Sequence, residues 1–144
     1  MMGLIFDKVI PTDDQIEILY TLLKNRKHKI SLDTNTSFED HKKFVYSSPY
    51  RAWFLIKDKP RILGSFYITN SNFIGLNLNK SDDVQLVRSI LDYIYSEYKP
   101  LSDIPSIRVS RFCVNVAPSD TSLINVLKEI DAELAQLTYY APIQ

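Results

Sequence analysis

The sequence predicts an α+β domain: a mostly antiparallel, twisted sheet with helices on both faces, in the order β-α-α-β-β-β-α-β-α-β. Three observations predict it. The apolar period changes repeatedly between two and 3.6, so the chain carries both strands and helices. The three central strand-like runs are joined by turns of two or three residues, which suit hairpins and exclude crossovers. Helix-start signals, Thr12-Asp-Asp-Gln15 and Thr36-Ser-Phe-Glu39, stand just ahead of apolar residues spaced three and four apart.

Residues 3–10 (GLIFDKVI) read as a strand closed by Pro11. Thr12 opens a helix with Ile16, Leu19, Tyr20 and Leu23 on one face, ending near Asn25. The basic cluster from Arg26 to Lys29 then reads as a solvated helix end whose cations complement the dipole. Residues 30–35 read as a loop, and a second helix runs from Thr36 to about Tyr46, stopped by Ser-Ser-Pro at 47–49. Strands follow at 50–57, 61–70 and 73–79, with Asp58-Lys-Pro60 and Ser71-Asn72 as turns. From Ser81 the helical period returns through Val84, Val87, Leu91, Ile94 and Tyr98. A strand at 107–116, a helix carrying Leu123, Ile124, Leu127 and Ile130, and a last strand at 132–141 complete the chain.

At 144 residues the chain suits one domain, 1–144, with no repeat, linker or low-complexity tract. Seventeen basic residues balance seventeen acidic ones, which removes the basic surplus of a general nucleic-acid binder. No stretch approaches the ~18 apolar residues of a membrane span, and the single cysteine, Cys113, fits a reducing compartment. The expected setting is the cytoplasm, with neither membrane nor nucleic acid as partner.

The only histidines, His28 and His41, lack metal-ligand spacing, so no metal is expected. With Gly3, Gly64 and Gly75 the only glycines, no dinucleotide fingerprint or Walker loop exists, and no GxSxG elbow is present. Cys113 reads as a small core residue and His41 as a partly buried histidine on its helix's apolar stripe. The cluster Tyr46, Tyr50, Trp53 and Phe54 reads mainly as core, although alternation sends Trp53 and Phe54 to opposite faces.

Read together, Ser37–Val45, Pro49–Ile56, Ile62–Ile68, Phe73–Leu78 and Cys113–Pro118 resemble the GNAT acyltransferase superfamily over roughly residues 3–142. The likeness is greatest to members that acetylate amino sugars of surface polysaccharides. It implies acetyl-CoA as acyl donor, held where two parallel strands, 74–79 and 111–116, splay apart after Gly75. Backbone groups of Leu76, Asn77 and Leu78 would then meet the pantetheine arm. Lys80, Ser81 and the Val84 amide would flank its phosphates. His41, Tyr67 and Tyr140 are the candidates for acceptor contact or proton transfer.

The sequence departs from the family pattern in one loop. Where members carry Q/R-x-x-G-x-G/A, this chain has Asn79-Lys-Ser-Asp-Asp83, a degenerate pyrophosphate loop with two carboxylates and no glycine. Asp120, Asp131-Ala132 and the lack of a tyrosine between Ser122 and Ile130 are further departures. The resemblance implies an acetyl-CoA-dependent N-acyltransferase acting on a small amine, such as a nucleotide-linked amino sugar. Two alternatives stand beside it: a catalytically degenerate binding or interaction module, and an acyltransferase using acyl carrier protein. A homodimer is compatible with each.

Overall fold

The computed structural model describes residues 3–28 and 36–143; the loop expected at 30–35 lies outside them. Among the described residues the elements run β1 (Leu4–Lys8), α1 (Asp13–Lys24), α2 (Phe38–Tyr46), β2 (Ala52–Asp58), β3 (Arg61–Ile68) and β4 (Phe73–Leu78). The order then continues with α3 (Val84–Glu97), β5 (Cys113–Asn115) and α4 (Thr121–Glu129). The sheet order is β1-β2-β3-β4-β5, antiparallel except for the parallel β4–β5 pair. This is the mixed α+β architecture the sequence predicts.

Two cores flank the sheet. On one face Phe54, Ile56, Phe66, Ile68 and Ile74 meet Leu86, Ile90 and Ile94 of α3, while α4 closes against α3 through Val87, Leu123 and Val126. On the other, Leu55 meets Ile16, Leu19 and Leu22 of α1 and Val45 of α2, with Trp53 packed beside them. Trp53 and Phe54 therefore do point to opposite faces. A register shift in the β2–β3 ladder passes Leu63 unpaired beside Gly64, whose φ of +152° an L side chain rarely adopts. The shift reverses the alternation, so Ile62 faces α1 whereas Phe66 and Ile68 face α3.

Helix starts follow the capping signals with one displacement. Thr12 caps α1, but Ser37, not Thr36, caps α2, accepting from the Asp40 amide. Gln15 does not close a capping box; its side chain reaches back to β1, accepting from Ile10 N at 2.6 Å and donating to Lys8 O.

Asn72, in the turn before β4, has φ of 68° and no exposed surface. Its amide donates to the carbonyls of Leu101 and Val109, and its Oδ1 accepts from Leu101 N at 2.8 Å. One turn residue thus anchors the whole 101–109 loop. That loop explains a correction: of the strand expected at 107–116, only Cys113–Asn115 forms, because the preceding residues turn back through an Ile104–Arg108 bridge. A second correction concerns 132–141, which forms no strand.

Candidate functional site

The β4–β5 ladder joins Phe73 to Cys113, Ile74 to Val114 and Gly75 to Asn115, then stops. β4 continues three more residues, still paired on its other edge with β3 as far as Leu78. β5 cannot follow: Pro118 has no N–H, and the Asp120 amide turns back to Ala117 O to start α4. A gap therefore opens in the sheet after Gly75. In an antiparallel pair alternate residues point their backbone groups away from the partner. Those of Leu76–Leu78 that turn from β3 consequently have no strand beside them among the described residues.

The gap is bounded on both sides. Leu76, Leu78, Val84 and Val116 pack over the α3–α4 core on one face. On the other, Asn77 donates to Leu22 O of α1 at 3.4 Å. The chain leaving α1 then crosses to the β5 side, where His28 Nδ1 lies 2.9 Å from Ser119 Oγ.

Aromatic rings fill the α2 side of the same region. Tyr67 faces Gly75 across the β3–β4 ladder, and its ring lies so close that a Cβ there would overlap Cζ. Its opposite face stacks on Tyr50, with centroids 3.9 Å apart and planes within 2°. Trp53 and Phe44 meet Tyr50 edge-on. Burial, then the adjacent Tyr67 hydroxyl, pushes the Tyr50 phenol well above its ordinary range, against the opposing pull of Arg26. Tyr50 thus keeps its phenol proton across the physiological range.

No protein-family model matches the sequence, and no curated protein matches it either. Solved structures do. An aminoglycoside acetyltransferase from an uncultured soil metagenomic sample, in complex with sisomicin, superposes with TM-score 0.60 at 11% identity, covering 99% of this chain and 97% of that one. The fold is the GNAT fold. A possible acetyltransferase from Clostridium difficile 630 gives TM-score 0.60 at 9% identity, covering 98% of each chain. A spermidine N-acetyltransferase from Vibrio cholerae, in complex with CoA and spermine, gives 0.59 at 13% identity, covering 90% of this chain and 80% of that one.

Whether this GNAT fold suits a CoA donor turns on two places. The gap suits the arm: an extended amide chain beside Leu76–Leu78 would take the place of the missing strand. The loop after β4 does not suit the diphosphate. Asp83 caps α3, accepting from Leu86 N at 3.0 Å. Ser81 Oγ donates to Asp120 Oδ1 at 2.9 Å, and that buried carboxylate also caps α4 through Leu123 N. Two helix N-termini are thereby brought together, and each already holds its own anion. Lys80 and Asp82 are exposed, and Asn79 is tied to Ile62 O. Asn79 also lines two grooves, one of about 640 Å³ with Asp14, Glu17, Tyr20 and Phe38, the other of about 520 Å³ with Arg61, Lys80 and Asp83.

The residues singled out from sequence fall in three places. Tyr67, Leu76, Asn77 and Leu78 border the gap, while Lys80, Ser81 and Val84 form the loop and the start of α3. His41 is buried between α1 and α2, its ring 5.3 Å from that of Tyr20 and its Nε2 without a partner among the described residues. Burial holds its pKa below the usual value, opposed by a hydrogen bond at the Ile16 backbone. Tyr140 lies in the exposed segment after α4. The sequence places Arg26 and His28 in a solvated helix end and Tyr50 mainly in the core, and gives none of them a part in the site. Tyr50 looked like core, and the His28–Ser119 contact spans 91 residues.

Proposed function

We propose that the protein is an N-acyltransferase that passes an acyl group from a pantetheine thioester to a small primary amine. The observation that carries this reading is the gap after Gly75, in a fold whose solved examples include acetyltransferases. The thioester supplies an activated acyl group; everything else comes from this chain. Backbone groups of Leu76–Leu78 hold the arm as a neighbouring strand would. Tyr67, packed against Gly75 and stacked on Tyr50, would give its hydroxyl proton to the thiolate as the C–S bond breaks and the C–N bond forms, and recover a proton from the attacking amine. Holding amine and thioester together supplies most of the rate.

The acceptor class follows from two supports. Solved relatives in fold are a spermidine and an aminoglycoside acetyltransferase. In this chain a groove that reaches Asn79 after β4, though not Tyr67 or Gly75, is lined by Asp14, Glu17, Tyr20 and Phe38, carboxylates and rings that attract a cationic amine. An amino sugar, free or nucleotide-linked, is the finer reading.

One observation favours a second donor. The carboxylate-capped helices oppose a diphosphate but not a single phosphate further out, as on the phosphopantetheine of a carrier protein. Calorimetric titration with acetyl-CoA and with acetyl-phosphopantetheine separates the two. Heat with both supports CoA, heat with the second alone supports the carrier, and heat with neither removes the enzyme reading. Tyr67→Phe should lower kcat by about 10²-fold with KM little changed, in keeping with loss of a general acid.

A further inference from the structure

Arg26 sits on the stretch that carries the chain from α1 across the gap to the turn between β5 and α4. That stretch is held at both ends. The Asn25 and Arg26 amides donate to the Thr21 and Leu23 carbonyls, and His28 Nδ1 meets Ser119 Oγ at 2.9 Å. Between these ties Arg26 is half-buried, and its Nε is buried without a hydrogen-bond partner. Among the described residues the ion pairs are Lys57–Asp7 and Arg61–Asp58, so no carboxylate neutralises the guanidinium. Its positive charge favours the ionised form of the Tyr50 phenol, which places it close to the ring that stacks on Tyr67.

A partly desolvated cation with an unmade hydrogen bond is costly, and such charges are ordinarily paired. Here the partner is missing from the chain, next to the gap where chemistry would occur.

We propose that Arg26 is the docking point for an anionic group, a carboxylate or a phosphate, on the amine that the protein acylates. The inference rests on the N-acyltransferase reading and narrows its acceptor to amines that also carry negative charge. A guanidinium offers paired N–H donors that match two oxygens of either group, and its flexible stem lets the Nε edge turn to meet them. Both ends of such a molecule find a complement. Asn25, the residue before Arg26, lines the groove that holds Asp14 and Glu17, which attract the ammonium group on approach. Arg26 then takes the anion on the Tyr50 side and fixes how the amine is turned toward Tyr67. An amine that is cationic throughout is repelled by the guanidinium and leaves it unpaired.

Matched amines test this by direct binding with no acyl donor present: butylamine against 4-aminobutyrate, and glucosamine against glucosamine 6-phosphate. Calorimetry gives the affinity. Trp53, the single tryptophan, has its ring 5.0 Å from that of Tyr50, so its emission reports the place. The anionic member of at least one pair should bind about tenfold tighter or more and shift that emission. Which pair responds tells carboxylate from phosphate. Arg26→Gln should abolish the preference and Arg26→Lys should keep part of it. Lys27→Gln, an equal loss of charge at an exposed neighbour, should leave it intact. Equal binding within both pairs, or none at millimolar concentration, overturns the proposal on the unaltered chain even where a variant fails to fold. So does a preference that survives Arg26→Gln or falls equally with Lys27→Gln. Anion-dependent binding without acyl transfer to any amine leaves the Arg26 site standing and removes the enzyme reading instead.

Discussion

Replacing Gly75 by alanine probes the stack that borders the gap. The backbone at Gly75 is ordinary for a strand, so the substitution is penalised through the side chain it meets and not through φ. A new Cβ overlaps Cζ and Cε1 of Tyr67, and Tyr67 cannot retreat because Tyr50 lies 3.9 Å behind it. The ring must swing out of the stack. Overpacking of this kind costs about 1–3 kcal/mol, and losing the Tyr50–Tyr67 pairing costs about 0.5–1.5 kcal/mol more. The sum, roughly 2–4 kcal/mol, should move the urea midpoint down by about 1–2 M. In a Tyr67→Ala background the three atoms nearest that Cβ are gone, so Gly75→Ala should become close to neutral or slightly stabilising, by up to about 1 kcal/mol. A double-mutant cycle by urea unfolding should therefore return a coupling of at least about 2 kcal/mol. Coupling within about 0.5 kcal/mol of zero, on the scale at which independent sites add, would refute the account of Tyr67 as pinned between Gly75 and Tyr50.

Asn72→Ala removes three side-chain hydrogen bonds and strands their backbone partners, so urea unfolding should show a loss of about 3 kcal/mol or more. His41 has a folded pKa below its unfolded 6.5, so the unfolded chain binds more protons as pH falls. Stability should decline with acidification below about pH 6.5, and His41→Phe should flatten the part of that decline due to His41, read from midpoints between pH 5 and 8. Asp83→Asn keeps an oxygen for Leu86 N and removes a charge from the loop. Melting should change by only a few tenths of a kcal/mol, while calorimetric affinity for acetyl-CoA should rise about fivefold or more, since a like charge at ~4 Å costs roughly 1 kcal/mol even in water.

The parts of the fold set by local pattern were legible in the sequence. β2, β3 and β4 are apolar and aromatic runs of six to eight residues with turn residues between them. The helices announce themselves by caps and apolar spacing, with α2 starting one turn position later than Thr36 suggested because Ser37 offers the hydroxyl. What failed depends on partners far along the chain. Strand 107–116 shrank because Asn72, 37 residues earlier, claims the Val109 carbonyl. Segment 132–141 has strand composition but forms no strand pairing among the described residues. At the site the gap after Gly75 was legible through resemblance. The stacked pair was not, since nothing local separates a Tyr50 that packs in a core from one that lies along Tyr67.

The gap also has a mechanical logic. β4 is intact to Leu78 and both cores close beside it, so the opening reflects where β5 turns away and not a defect in packing. Two contacts fix that turn: His28 meets Ser119 from the α1 side, and Ser81 meets Asp120 from the β4 side. They land on adjacent residues, so the short connection between β5 and α4 is held from both faces of the sheet. Backbone polar groups left unpaired must find water or a ligand, and these two ties keep the Leu76–Leu78 edge from closing on β5 instead. Loosening either tie should therefore change affinity for an extended amide chain more than it changes stability, whereas trimming Phe66 or Ile90 in the core should do the reverse.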